Sequence, residues 1–177
     1  MTVEEYLEFE RTSPTRHEFV DGVMVAMSGE SKKHNRIAIR IVKALDDIAE
    51  AKGCSVYINT VKLRTRGSRY RYPDVIVTCE DSGDDHVVDA ACVLFEVLSE
   101  STESVDVTEK LSEYTRIPSL QRYVLVSQHQ RFVTVFKRVE TRWGVEILED
   151  VGEVEIPCLE TTLSLEQIYG SGVSSRT

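Results

Sequence analysis

Three side chains between Arg69 and Tyr114 are of the right types for joint hydrolytic chemistry. Asp74 follows Pro73 at the mouth of an apolar strand, Glu96 sits in the middle of a second strand, and Lys110 lies on the helix expected after it. Alternate strand residues share a face, so Glu96 lies beside Leu94 and Leu98, and Asp74 beside Tyr72 and Ile76. Neither carboxylate should be well hydrated there, and an unpaired buried acid destabilises a fold or takes up a proton. Two carboxylates about 4 Å apart repel by roughly 4 kcal/mol at an effective dielectric of about 20, and a bound cation reverses that sign. Each residue alone has a plainer reading. Glu96 can pair with an arginine or accept backbone hydrogen bonds. Lys110, near the stripe of Val107, Leu111 and Tyr114, can pair with Asp106 four residues earlier, a contact worth only about 0.2–0.5 kcal/mol. The joint pattern of two strand acids and a helical base points instead to a divalent metal and phosphodiester hydrolysis.

The elements that must position these residues follow from local pattern. Thr2 and Glu5 have capping-box spacing and start a short helix that stops before Pro14. HEFVDGVMVAM reads as a hairpin about Asp21-Gly22. Ile37, Ile41, Ala44, Leu45 and Ile48 recur at helical intervals between Ser31 and Lys52, with Gly53 placed to end that helix. CSVYI, TVKLR and YPDVIVTC are strands, with Gly67-Ser68 as a turn and acidic EDSGDDH as a loop. AACVLFEVL is a near-continuous apolar run, the mark of a strand covered on both faces, so helices are expected on each side of a sheet. A second helix spans Ser101 to Ile117 and ends at Pro118. RYVLV, RFVTVFKRV and VEILED are strands, with Arg142-Trp143-Gly144 as the turn between the last two. SLEQIY closes the chain as a helical turn before a frayed tail at 171–177.

With 177 residues, 41% hydrophobic and 29% charged, the chain suits one domain over residues 1–170. No run has the roughly 18 apolar residues of a membrane helix, and MTVEEYLEFE lacks the order of a secretory signal, so a soluble, cytoplasmic protein without membrane partners is expected. Cys54, Cys79, Cys92 and Cys158 form no CxxC pair, and buried free thiols in a reducing compartment are the expectation. The formal net charge of -9 excludes a protein that grips nucleic acid over its whole surface. A local patch would have to meet any polyanion. KLRTRGSRYR, with Lys62, Arg64, Arg66, Arg69 and Arg71, is the most basic stretch, and a hairpin with solvated charges is its other reading.

The order RHEFVDG, a long helix containing His34, YPDVIV, LFEVLSEST, DVTEKLSEY, IPSLQRYVLV and VTVFKR resembles the Uma-two family of restriction-endonuclease-like proteins, within the PD-(D/E)XK nuclease superfamily. The resemblance runs from Thr2 to Tyr169. It implies a restriction-endonuclease-like α/β domain, a mixed β-sheet flanked by helices, with a metal near a fork where strands diverge. Pro73-Asp74 matches the PD motif and Glu96 the acid of (D/E)XK, while the usual lysine two places later is Leu98. The resemblance moves the basic role to Lys110 and matches Glu18 to an additional acid. Glu18, next to His17, can equally be the partner of a cation. His34 is implied to face the substrate, a capping or surface histidine being the alternative.

Mg²⁺, with Mn²⁺ as a substitute, prefers oxygen ligands and keeps several waters, so Asp74, Glu96 and the Val97 carbonyl suffice to hold it. Lys110 would then orient or help deprotonate the attacking water. DNA is the expected substrate, contacted by His34, Arg64, Arg66 and Arg69. A homodimer would place two such sites on the two strands of a duplex, with RFVTVFKRV as an exposed edge for the contact. Two other readings remain: an inactive nuclease-fold interaction module, which the acidic surface and the missing lysine favour, and a metal-dependent hydrolase of a small phosphoester.

Overall fold

The computed structural model describes residues 1–80, 82–99 and 106–170, with the backbone alone at Arg66 and Asp106. Thr2 opens α1 (Val3–Thr12): its hydroxyl accepts from the Glu5 amide at 3.2 Å, and Glu5 Oε2 accepts from the Thr2 amide at 2.8 Å. Two amides that a helix start leaves without partners are thus satisfied. β1 (His17–Val20) and β2 (Val23–Ala26) form the expected hairpin, with Asp21 and Gly22 at φ 49° and 91° in its turn. Ser31 caps α2 (Lys32–Ala51), and Gly53 at φ 69° supplies the left-handed residue that ends it.

From there the chain divides between two larger sheets. β3 (Ser55–Ile58), β6 (Val75–Thr78), β8 (Val93–Leu98), β9 (Arg122–Ser127), β10 (Phe132–Val139) and β11 (Arg142–Glu149) form a six-stranded sheet in the order β11-β10-β9-β8-β6-β3. The sheet is mixed, because β8 runs parallel to β9 and antiparallel to β6. β4 (Lys62–Arg66), β5 (Arg69–Arg71) and the short β7 (Val87–Val88) join the first hairpin in a five-stranded sheet, order β2-β1-β5-β4-β7. Tyr72-Pro73-Asp74 is the crossing, where the chain leaves the smaller sheet at β5 and enters the larger at β6. Pro73 has no amide to give to a ladder, which suits it to the break.

α2 lays Ile37, Ile41, Leu45 and Ala49 on one face of the large sheet, against Val75, Val77, Val93, Phe95 and Val97. The other face buries Ile76, Leu94, Tyr123 and Leu125 under Tyr114 and Ile117, together with Leu63 and Val88 of the small sheet. β8 is therefore covered on both sides, as its apolar run predicts. Tyr6 of α1 stacks on Phe19 at 4.6 Å between ring centroids and closes the outer layer over β1. β12 (Glu153–Ile156) and β13 (Thr161–Ser164) form a separate hairpin, and a second capping box, Ser164 with Gln167, starts a closing helix at Leu165–Tyr169.

Several sequence expectations are corrected. Of the helix expected over 101–117, Ser101 to Val105 lie outside the described residues; Asp106–Lys110 is a π-helical turn, and α3 covers Leu111–Tyr114. Arg142-Trp143-Gly144 is not a turn but the start of β11, and the chain reverses at Glu140 with φ 54°. The contacts of half-buried Trp143 explain the shift: its Nε1 donates to the Thr115 carbonyl at 3.1 Å, and the Arg138 guanidinium lies 4.7 Å over its ring. RFVTVFKRV is no exposed edge, since β10 pairs with β9 and β11 on its two sides and β11 takes the edge. β7, β12 and β13 are strands that the local pattern does not signal. The tail at 171–177 lies outside the described residues.

The expectation of free thiols is also overturned. Cys54 is bonded to Cys79 and Cys92 to Cys158, and no free cysteine is found among the described residues. Apolar surroundings suit a thiol and a disulfide alike, so the strand context of the cysteines could not separate the two, and their support for a reducing compartment goes with them. Among the described residues no helix is long and apolar enough to cross a membrane. Non-reducing peptide mapping should recover the two linked pairs, and reduction should lower the unfolding free energy by about 2–4 kcal/mol per bridge. Unlinked peptides from protein kept under oxidising conditions would contradict the pairing.

Candidate active site

Asp74 stands where the two sheets part. The β6–β8 register pairs Val75 with Phe95 and Ile76 with Leu94, and one further step sets Asp74 level with Glu96. There the Asp74 side chain takes over from the ladder: the Val97 amide donates to its Oδ2 at 2.7 Å. Its Oδ1 lies 2.8 Å from His34 Nε2. His34 comes from the first turn of α2, where the Ser31 hydroxyl accepts its amide at 3.0 Å, and its Nδ1 lies 3.1 Å from Glu30 Oε2. At 3% exposure His34 is no surface residue; it fixes Asp74.

Glu96 is held from the next layer. Alternation along β8 turns it toward the helix, where Lys110 Nζ donates to its Oε1 at 2.9 Å and the Tyr114 hydroxyl to the same atom at 3.1 Å. Lys110, Glu113 and Tyr114, at helical spacings of three and four, are all buried on one face. Val107 is 38% exposed instead of sharing that stripe, because a π-helical turn shifts the phase of the residues before Lys110. Lys110 Nζ also lies 3.5 Å from Glu18 Oε1. Glu18 Oε2 accepts from Arg71 at 2.8 Å, and Arg71 donates onward to Glu113 Oε2 at 2.9 Å. The result is a buried row of alternating sign: Glu96, Lys110, Glu18, Arg71, Glu113.

The row is electrostatically closed. Burial pushes the Glu113 carboxyl up, but hydrogen bonds from Arg71 and Thr65 outweigh it and hold the group below its ordinary value. Burial pulls the Arg71 guanidinium down, and the bonds and charges of Glu113 and Glu18 more than reverse this. Burial, reinforced by the charges of Glu96 and Glu18, raises the Tyr114 phenol well above its ordinary range, so Tyr114 stays a donor to Glu96.

The structure thus brings Glu18, Glu96 and Lys110 together and joins them to Asp74 through the Glu96–Val97 peptide. It does not bring the arginines of the basic stretch there. Arg64 bonds Asp89 at 2.7 Å, and Arg69 bonds Asp21 at 2.9 Å and Glu113 at 3.1 Å. The side chain of Arg66 lies outside the described residues. Arg71 and Glu113 were the residues sequence reasoning missed as a pair; the available signal was the position of Glu113, three residues after Lys110 on the same helical face.

Among the described residues no group of three or more His, Cys, Asp or Glu side chains is placed to hold a metal ion. Two carboxylates on neighbouring strands offer hard oxygen donors only. That set suits an ion that completes its shell with water and backbone carbonyls, as Mg²⁺ does, and does not suit zinc.

The Uma2 family model, described as "Putative restriction endonuclease", matches residues 3–167. The chain belongs to the Uma2 family. Two proteins of Synechocystis sp. are similar to it: "Uncharacterized protein slr1290", 29% identical over 173 residues and covering 96% of this chain and 91% of that one, and "Uncharacterized protein sll1609", 28% identical over 162 residues with coverages of 88% and 92%. The crystal structure of a "putative nuclease belonging to DUF820" from Anabaena variabilis matches with a TM-score of 0.78 at 16% identity, covering 96% of this chain and 97% of that chain. At such identity the likeness shows the fold, mixed sheets flanked by helices in a single domain. Family and fold together indicate a restriction-endonuclease-like nuclease.

Removing one partner of a buried ion pair strands the other, at a cost of about 3–5 kcal/mol. Arg71→Ala should lose stability on that scale in urea unfolding. A depressed folded-state carboxyl stabilises the fold above its unfolded value near 4.5 and loses that contribution as pH falls through the folded value. Glu113→Gln should therefore be less stable than wild type at neutral pH and show a flatter decline in acid; parallel curves would exclude Glu113 as a source of acid lability.

Proposed function

We propose that this chain is a divalent-metal-dependent endonuclease that hydrolyses phosphodiester bonds in DNA, with Mg²⁺ or Mn²⁺ held by Asp74, Glu96 and the Val97 carbonyl. The observation that carries this reading is the buried contact of Lys110 with both Glu96 and Glu18 beside the fork at Asp74. The family's description as a restriction endonuclease supports it. When bound, the ion supplies positive charge to the phosphoryl oxygens and lowers the pKa of the attacking water.

The chain's own residues do the rest. His34 and the Val97 amide fix the Asp74 carboxylate, and Tyr114 fixes Glu96, so both acids are oriented before substrate arrives. Lys110, donating to one carboxylate and lying beside another, serves as an ammonium ion. Its part is a fixed positive charge where negative charge gathers on the scissile phosphate, rather than proton abstraction from water. Arg71 holds Glu18, and Glu18 in turn steadies Lys110, which replaces the lysine absent at Leu98.

A second reading, a catalytically inert interaction module, is favoured by the same contacts: Asp74 and Glu96 already meet donors within the protein, as a purely structural pair would. Metal titration separates them. Wild type should bind Mn²⁺ and nick supercoiled plasmid, and Asp74→Asn should lose both. Lys110→Met removes a positive charge beside the site, so it should bind Mn²⁺ at least as tightly as wild type while cleavage falls by about 10²–10³-fold, the usual cost of one transition-state donor. Wild type binding Mn²⁺ no better than Asp74→Asn would establish the inert module.

A further inference from the structure

Nucleic acid binding by a chain of net charge -9 requires a local cationic surface. Among its described side chains the basic stretch offers little of one, because Arg64, Arg69 and Arg71 are neutralised by Asp89, Asp21, Glu18 and Glu113 and Lys62 is buried. A different set of cations stands next to the active-site acid. A cavity of about 740 Å³ has Asp74 in its wall and is lined also by Arg16, Lys32, Asn35, Arg36 and Asn59. These come from separate parts of the chain: the connection into β1, the first turns of α2, and the turn after β3. Arg16 is anchored there by a 2.9 Å bond from its NH1 to the Glu10 carbonyl, and the same NH1 lies 3.8 Å from the Glu10 carboxylate, which also serves Tyr72 and His17. Lys32 and Arg36 are exposed and have no acidic partner among the described residues. Glu30, the other acid in the wall, is already engaged with His34.

The placement of Lys32 works against local stability. The first turn of a helix favours acids, since its unpaired amides carry partial positive charge. The first turn of α2 has no acid and carries Lys32 and Lys33. Lys32, which opposes the helix field, and Arg36 one turn on both lack an acidic partner among the described residues and border the cavity containing Asp74, so they are placed for a ligand's negative charge.

We infer that the DNA backbone reaches Asp74 through this cavity, its phosphates flanking the scissile bond met by Arg16, Lys32 and Arg36, and not over the Lys62–Arg71 stretch. This rests on the nuclease reading and extends it by fixing the face from which the strand enters. Asn35 and Asn59 line the same cavity, where amide groups can donate to phosphate or base edges.

The test is fluorescence anisotropy of a labelled DNA duplex in EDTA, where cleavage does not occur, over a series of salt concentrations. Lys32→Glu/Arg36→Glu should bind more weakly, with the slope of log affinity against log salt reduced by about 2, near one for each phosphate no longer neutralised. The charge-matched control Arg64→Glu/Lys137→Glu should keep the wild-type slope and bind within about twofold. The first variant should also unfold at a temperature no lower than wild type, because acids at that helix start are favourable, so a loss of binding is not a loss of fold. Equal effects of the two double variants would reduce the result to net charge and overturn the inference, as would an unchanged slope in the first. A parallel Mg²⁺ cleavage assay on wild type reads the nuclease proposal separately: intact DNA there refutes hydrolysis, while the metal-free slopes still report whether this cavity is where DNA binds.

Discussion

The buried row of alternating charge from Glu113 through Arg71, Glu18 and Lys110 to Glu96 is the constraint on which the site depends. It runs across the β1–β5 ladder of the small sheet, where Phe19 pairs with Tyr70, and ties that pair to the helix around Lys110 and to β8 of the large sheet. Its net contribution to stability is modest, because removing ions from water costs several kcal/mol each and their attraction does little more than repay it. Its effect on geometry is larger. Any change that separates one member leaves a neighbour charged and unpaired, so only one arrangement of the two sheets and the helix satisfies every member, and that arrangement sets Lys110 against Glu96.

The crossing segment Tyr72-Pro73-Asp74 is held from several directions for a similar reason. The Tyr72 amide reaches Glu18 at 3.3 Å, and its hydroxyl reaches the fully buried Glu10 of α1 at 2.9 Å. The Asp74 carboxylate is pinned by the Val97 amide and His34. Without such ties a segment between two sheets would be free to slide, and the acid at its end would move with it. α1 thus acts as a packing element that secures the crossing, through Tyr6 against Phe19 and through Glu10 against Tyr72 and His17. The two disulfides make comparable ties at the other end of the large sheet, Cys54 to Cys79 after β6 and Cys92 to Cys158 ahead of β8.

Much of this was legible along the chain where a local rule settles structure. The capping box at Thr2, the Asp21-Gly22 turn, the α2 stripe ended by Gly53 and the doubly covered β8 all formed as their patterns require. Errors came where a distant partner overruled the local signal. Arg142-Trp143-Gly144 has turn composition, yet Trp143 is drawn into β11 by Thr115 and Arg138. β12 and β13 have four residues each, too few for a local pattern to mark, and their pairing with one another makes them strands.

By itself the sequence determined which side chains would be difficult to bury: Asp74 and Glu96 in apolar strands, Lys110 close to an apolar stripe. It also carried enough ordered motifs to mark the family. Tertiary structure alone decided the partners. KLRTRGSRYR is the most basic stretch, yet folding sets acids from the β1–β2 hairpin, the β7–β8 connection and α3 against Arg64, Arg69 and Arg71, while Lys32 and Arg36, two cations within a longer helix, have no acidic partner among the described residues. The reason is physical: residue type fixes the charge a position carries, but whether that charge is neutralised depends on groups tens of residues away, and only their arrangement in space brings them within a few ångströms.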